Sequence, residues 1–289
     1  MDYFVLRENL EKAKVHFQDA RRMMQAFEHW FGPYPFYEDG FKLVEAPYLG
    51  MEHQSSVTYG NGYQNGYRGR DLSGTGWGMK FDFIIIHEAG HEWFANNITY
   101  KDVADMWIHE SFTNYSESLF LDYHYGKEAG QAYVRGTRMN ILNDKPIIGD
   151  YGVNQRGSGD MYYKGGNLLN MLRQIVQDDG KWRIILRGLN KEFYHQTVTT
   201  QQVESYISTQ AGLNLGKVFD QYLRDVRIPI FEYYFQGEEL QYRWTNAVKD
   251  FDMPVDVLLD GKAVRLQTKT AWQTLEVGTV QEVVVDPDY

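Results

Sequence analysis

The sequence contains no cysteine, so disulfide bonds and thiolate metal ligands are both excluded. No apolar run approaches the roughly 20 residues that a membrane-spanning helix needs, and the first residues lack the pattern of a signal peptide. Lys and Arg number 29 against 39 Asp and Glu, which gives a formal net charge of −10, and no basic run is present. This balance argues against nucleic acid as a partner and suits a substrate with a cationic group, such as a free amino terminus. The cellular compartment stays undetermined.

Two kinds of hydrophobic pattern divide the chain. Apolar residues recur at helical spacing through most of the chain up to position 225, with short strand-like segments between them. From residue 231 onward the sequence alternates in short segments, and Asp260-Gly261 is a hairpin signal. The change falls at Ile228-Pro229, so we predict one domain over residues 1–227 and a small antiparallel β-sandwich over residues 228–289. A length of 289 residues fits two domains.

The residues around position 90 are the most informative part of the sequence. We predict a buried helix over residues 83–97, with Asp82 as its N-cap. On that helix His87 and His91 are four residues apart, so roughly 40° of rotation separates them and both rings leave from one face. This is the geometry of half a zinc site. Glu88 follows His87 directly, so its carboxylate can lean over the site as the general base for a zinc-bound water.

A zinc site of this kind needs a third protein ligand and one open position. Our candidate is Glu110, on a second predicted helix over about residues 103–125. Asn114 and Glu117 follow it on the same helix face, so either one could orient a ligating histidine through its second ring nitrogen. The alternative is that both belong to a solvated helix face. His109 points about 100° away from Glu110 and is not expected to bind the metal.

The two motifs together resemble those of the aminopeptidase N family of gluzincins, which includes a leukotriene hydrolase that is also an aminopeptidase. The family pattern is H-E-x-x-H, eighteen residues and then E, and residues 92–109 are the eighteen between His91 and Glu110. The resemblance implies an α+β fold: a thermolysin-like zinc peptidase catalytic domain with a small mixed sheet and a mostly helical body. It also implies one Zn²⁺ ion, held by His87, His91 and Glu110, and peptides with a free N-terminus as substrates.

An upstream segment adds to this resemblance. The residues Leu49-Gly50-Met51-Glu52-His53 are similar to the exopeptidase motif of the family, G-x-M-E-N. The similarity implies that Glu52 receives the α-ammonium group of the substrate, with Met51 and Gly50 beside it in the substrate-binding segment. Leu49 stands for the glycine and His53 for the asparagine, which leaves open the backbone conformation of the turn.

A downstream segment supplies one more catalytic candidate. Tyr162-Tyr163-Lys164-Gly165 is similar to the Y-x-K-G motif of the family. The similarity implies that the hydroxyl of Tyr162 donates a hydrogen bond to the oxyanion formed when water attacks a peptide carbonyl. In this spacing Tyr162 matches the tyrosine of the motif, and Tyr163 does not.

Three functions are compatible with these residues. The leading one is a zinc aminopeptidase; the second is an endopeptidase or an epoxide hydrolase that uses the same site. The third is a non-catalytic zinc-containing binding module, for which a lost Glu88 or Tyr162 would be expected, and both are present. In the resembled family a β-rich domain precedes the catalytic one, so we also expect such a domain to pack against this one in a full-length protein.

Overall fold

Helices form most of the first 225 positions, and strands dominate the remainder. The structure is a computed structural model that describes residues 1–289. The helices are α1 (Leu10–His16), α2 (Gln18–Phe31), α3 (Phe83–Gly90), α4 (Trp107–Tyr125), α5 (Lys127–Thr137), α6 (Tyr163–Val176), α7 (Asp179–Glu192), α8 (Thr200–Ala211) and α9 (Gly216–Arg224). The strands are β1 (Asp2–Phe4), β2 (Lys42–Glu45), β3 (Gly50–Met51), β4 (Val57–Tyr59), β5 (Ile98–Tyr100), β6 (Gln196–Val198), β7 (Ile230–Gln236), β8 (Glu239–Thr245), β9 (Val255–Leu259), β10 (Lys262–Leu266), β11 (Gln273–Glu276) and β12 (Val283–Val285).

Two small sheets belong to the helical part of the chain. The first has the strand order β1-β2-β4-β3, in which β1, β2 and β4 run parallel and β3 runs antiparallel to β4. The second pairs β5 with β6 in parallel. A small mixed sheet beside a mostly helical body is the α+β arrangement that the sequence predicts, and it is confirmed. None of the helices combines the length and apolar character that crossing a bilayer requires.

The strands after residue 230 form two antiparallel sheets of three strands each, with orders β11-β8-β7 and β10-β9-β12. The predicted hairpin at Asp260-Gly261 is confirmed: it joins β9 to β10, and both residues have positive φ (49° and 79°). A two-residue turn of this kind matches the right-handed twist of the flanking strands. The domain division at residues 227/228, which lies between α9 and β7, stays a prediction.

Helix α4 is the centre of the helical part of the chain. Every residue from Trp107 to Leu121 is buried, and α2, α3, α5 and α6 all pack against it. The alternative of a solvated face for this helix is therefore wrong. Because a buried polar group is costly unless it is bonded, the polar side chains of α4 must find partners inside the protein.

Helix α6 approaches α4 unusually closely. A Cβ atom at Gly165 would overlap the Oγ of Ser111, and one at Gly166 would overlap the Oδ1 of Asn114. The Ser111 hydroxyl in turn donates to the carbonyl oxygen of Met161 at 2.6 Å. Two successive glycines therefore allow the start of α6, and the residues just before it, to lie directly on the part of α4 that carries Glu110.

The predicted helix over 83–97 is correct at its start and wrong at its end. Asp82 is the N-cap, and its side chain accepts from the backbone N–H of Ile84 at 3.2 Å. The regular helix stops at Gly90, and Glu92–Asn97 form a wider turn whose backbone leaves helical geometry at Phe94. In a straight helix the carbonyl of Phe94 would point along the helix axis. Here it points toward the ring of His91, and its oxygen lies 3.1 Å from Nδ1.

We expect Gly165→Ala to destabilise the protein by about 1–3 kcal/mol, because the added methyl group has to push α6 away from α4. Urea unfolding followed by circular dichroism measures this change. Gly216→Ala is the matched control: a Cβ there meets only ordinary contact, at 3.5 Å from Asn214 Oδ1. Equal midpoints for the two variants would contradict the close packing of the two helices.

Candidate active site

Three predicted metal ligands meet in the interior of the protein. His87 lies on α3, His91 is the C-cap residue of α3, and Glu110 lies in the first turn of α4. Oε2 of Glu110 lies 3.6 Å from Nε2 of His87 and 3.4 Å from Nε2 of His91. All three side chains are buried, and one ligand atom from each lies within 4.8 Å of the other two.

The hydrogen bonds around these residues test whether a metal ion fits. Nδ1 of His87 lies 2.8 Å from Oε1 of Glu117, and Nδ1 of His91 lies 3.1 Å from the carbonyl oxygen of Phe94. Acceptors at both Nδ1 atoms favour the tautomer whose Nε2 carries a lone pair. Oε2 of Glu110 is buried and has no hydrogen-bond partner. Two imidazole lone pairs and a carboxylate oxygen thus face one another, an arrangement that suits a cation bound by nitrogen and oxygen.

Of the two candidates for orienting a ligating histidine, only Glu117 contacts one. Its Oε1 also accepts from Asn114 Nδ2 at 3.3 Å, and its Oε2 accepts from the Tyr133 hydroxyl at 2.6 Å. Asn114 therefore contacts Glu117 and not the ring of a histidine. Such a chain of bonds fixes the ring of His87 and raises its basicity as a ligand.

The partners of His91 were missed by the sequence reasoning. Its Nδ1 lies 3.1 Å from the hydroxyl of Thr113 and 3.1 Å from the Phe94 carbonyl. Thr113 follows Glu110 by three positions, so helical spacing carried a signal for it. The Phe94 carbonyl belongs to the backbone, so no residue type in the sequence predicts its contact. The kink that turns it toward His91 cannot be predicted from apolar periodicity either.

Two further carboxylates lie beside the ligands. Glu52, Glu88 and His91 each place one ligand atom within 4.8 Å of the others. A Cβ atom at Gly50 would come within 3.0 Å of Cγ and Oε1 of Glu88 and closer still to Ile84, so strand β3 lies directly on α3. Burial raises the pKa of the Glu88 carboxyl above its usual value. Met51 is exposed on the same strand.

Tyr162 lies beside the metal-ligand cluster. Its ring stacks 6.1 Å from the ring of His87, and burial followed by the charge of Glu110 raises the pKa of its hydroxyl, which keeps it protonated as a donor. Lys164 of the same motif points elsewhere and donates from Nζ to the carbonyl of Asp225 at 3.0 Å.

His109 does not join the cluster. Its Nε2 accepts from the backbone N–H of Tyr100 at 3.0 Å, and the two rings stack with centroids 4.2 Å apart. This matches the orientation expected from its place next to Glu110 on a helix.

A family model described as the peptidase family M1 domain matches residues 15–222 of this sequence. The chain belongs to peptidase family M1. The matched range contains both histidines, Glu110 and the two flanking motifs, whereas the strands after residue 230 lie outside it.

Several curated proteins are similar to this M1 chain. Aminopeptidase N of Lactobacillus helveticus is 25% identical over 236 residues, which are 73% of this chain and 26% of that protein. Probable aminopeptidase 1 of Sulfurisphaera tokodaii is 20% identical over 288 residues, 89% of this chain and 36% of that protein. Mouse endoplasmic reticulum aminopeptidase 1 is 23% identical over 206 residues, 67% and 22% of the two chains. The M1 chain therefore spans about a quarter to a third of the length of these relatives.

Solved structures support the same fold. An M1 zinc metallopeptidase from Deinococcus radiodurans superposes with a TM-score of 0.59 at 22% identity, covering 73% of this chain and 45% of that one. A mutant of that peptidase, bound to a Tyr-Ser-Ala substrate, has the same score and identity. At this level of identity the likeness concerns the fold.

We expect Glu117→Gln to lower metal affinity by about 10- to 100-fold, because the variant removes the charge that supports His87 while keeping the shape of the side chain. Chelator competition, with retained metal counted by mass spectrometry, measures this affinity. Glu128→Gln, on the exposed start of α5, serves as the control. Unchanged affinity in Glu117→Gln would contradict the supporting role.

Proposed function

We propose that this M1 chain contains the catalytic site of a zinc-dependent aminopeptidase that removes residues from the N-termini of peptides. The observation that carries the proposal is the convergence of His87, His91 and Glu110 on one point, with the carboxylates of Glu88 and Glu52 beside it. Membership of family M1 and the aminopeptidase names of the curated relatives support it.

His87, His91 and Glu110 would hold the zinc ion, with one position left for solvent or substrate. When bound, zinc acts as a Lewis acid that makes water a better nucleophile and polarises the peptide carbonyl. Glu88 accepts a proton from the attacking water as the new carbon–oxygen bond forms. It returns that proton to the departing amine as the carbon–nitrogen bond breaks, so the carboxylate is regenerated in each cycle.

Glu52 determines where the peptide is cut, and Tyr162 stabilises the charge that develops during the cut. Glu52 binds the α-ammonium group of the substrate by charge and hydrogen bonding, so only one residue extends past the reacting carbonyl. Gly50 allows β3 to lie on Glu88, and Met51 follows it beside the bound residue. The Tyr162 hydroxyl donates to the developing oxyanion, a kind of contact worth about 3 kcal/mol in comparable enzymes.

The family resemblance also leads us to propose that a β-rich domain packs against this catalytic domain in the full-length protein. Exposed apolar side chains on and after strand β1, including Phe4 and Leu6, support the proposal. A structure of the full-length protein tests it, and a β-rich domain with no contact to β1 would contradict it.

We expect Glu88→Gln to lower kcat by about 10²- to 10⁴-fold, because the amide cannot accept the proton of the attacking water. The measurement combines hydrolysis of aminoacyl p-nitroanilides with metal content. Retained zinc together with unchanged turnover would show that Glu88 is not the base.

We expect Glu52→Gln to lower kcat/KM for substrates with a free amino terminus by about 10- to 100-fold, because it replaces a charge-assisted contact by a neutral one. Cleavage of N-acetylated analogues should be negligible in the wild-type protein. Glu11→Gln, on the solvent face of α1, is the control. If the wild type cleaved free and acetylated substrates equally, the site would be that of an endopeptidase.

A further inference from the structure

We propose that Glu92 and Asn96 are positioning residues that hold the turn carrying Glu52 against the metal-binding helix. The Glu52 turn is the segment 52–56 between strands β3 and β4. The inference rests on the proposed function in one respect, the role of Glu52 as the site for the substrate's amino group. The contacts that hold the turn stand independently of it.

The Glu52 turn has little support from its own hairpin. Strands β3 and β4 contain two and three residues and share only two residue pairs, Gly50 with Tyr59 and Met51 with Thr58. Inside the turn, Ser55 has a φ of 56°, in the left-handed region that favours glycine. A short hairpin with such a residue needs bonds from outside to keep one conformation.

Glu92 supplies the first of these bonds. Its side chain is fully buried, and its Oε1 accepts from the backbone N–H of Ser55 at 2.7 Å, across 37 positions of sequence. The other oxygen, Oε2, is buried without a hydrogen-bond partner. Burying a carboxylate with one unpartnered oxygen is costly, and the proposed catalytic steps make no use of Glu92. The amide of Ser55 donates the short hydrogen bond of this carboxylate, and the side chains of Asn96 and Tyr34 also lie beside it.

Asn96 supplies the second bond. Its Nδ2 donates to the backbone carbonyl of Glu52 at 2.9 Å. The two contacts therefore hold the turn at both ends, Glu52 at its first residue and Ser55 near its last. A third point of contact lies just before the turn, where Gly50 packs against Glu88. The remaining bonds of the turn to other segments are weak, since Ser55 Oγ and Gln54 Nε2 reach Asp39 at 3.3 and 3.4 Å.

Both holding residues belong to Glu92–Asn97, the kinked segment that follows His91. The carbonyl of Phe94, from the same segment, faces Nδ1 of His91. One six-residue element therefore orients a metal ligand and fixes the turn that receives the substrate. This element therefore sets the distance between Glu52, which binds the substrate's amino group, and the metal site, where the carbonyl reacts. Loosening the turn should weaken substrate binding while the metal ligands and Glu88 stay in place.

The test compares Glu92→Ala, which removes the acceptor, with Glu92→Gln, which keeps an oxygen for Ser55. In Glu92→Ala we expect KM for free-amine substrates to rise about tenfold and kcat to change little, because one buried hydrogen bond is lost. Hydrogen exchange of the peptide spanning residues 51–57, read by mass spectrometry, should accelerate in Glu92→Ala and stay near the wild-type rate in Glu92→Gln. Zinc content is measured in every variant.

Asn96→Ala is the second variant and should give the same pair of shifts. Asn97→Ala is the matched control from the same segment, because its amide contacts Asn190 and His195 instead of the turn. If Glu92→Ala fails to fold or loses zinc, Asn96→Ala decides the question by the same measurements.

The outcomes separate the two proposals. A wild-type protein without free-amine hydrolysis overturns the proposed function, and the exchange data still report whether the turn is held. Faster exchange with unchanged KM overturns the positioning role while the aminopeptidase stands. Unchanged exchange in both Glu92→Ala and Asn96→Ala overturns the inference altogether.

Discussion

The structure depends on one electrostatic constraint, the meeting of a buried carboxylate oxygen with two imidazole nitrogens that carry lone pairs. Glu110 Oε2 has no hydrogen-bond donor of its own, and both histidines present Nε2 to it. Without a cation these groups repel one another or bind protons, and with a cation they attract it. The surrounding packing serves to keep this cluster in place: α4 is buried along most of its length, and α6 presses on it through two glycines.

Much of this arrangement was predictable from the sequence, for identifiable reasons. Helical spacing places His87 and His91 on one face, and the eighteen-residue interval brings in Glu110 as the resembled family does. Asp is a preferred N-cap residue, so Asp82 predicts the start of a helix. The Asp-Gly pair is typical of two-residue hairpin turns, so Asp260-Gly261 predicts a tight hairpin. In each case the signal is local, because it is carried by residue types within a few positions of one another or by a fixed motif.

Other features could not be predicted, because their cause lies in tertiary structure. The regular helix α3 ends at Gly90 and the backbone leaves helical geometry at Phe94, although the apolar pattern of residues 83–97 continues as in a helix. The bond from Ser55 to Glu92 joins positions far apart in sequence through a backbone amide, which has no side-chain signature. The burial of Glu117 likewise follows from the helices packed around α4.

The two histidines differ in what holds their second nitrogen. For His87 it is the side chain of Glu117, which a single codon change can replace. For His91 one of the two partners is a main-chain oxygen of Phe94, which persists whatever residue occupies position 94. Among related proteins, substitutions at position 117 can therefore change the strength and the selectivity of metal binding. The orientation of His91 should persist as long as the backbone keeps its conformation.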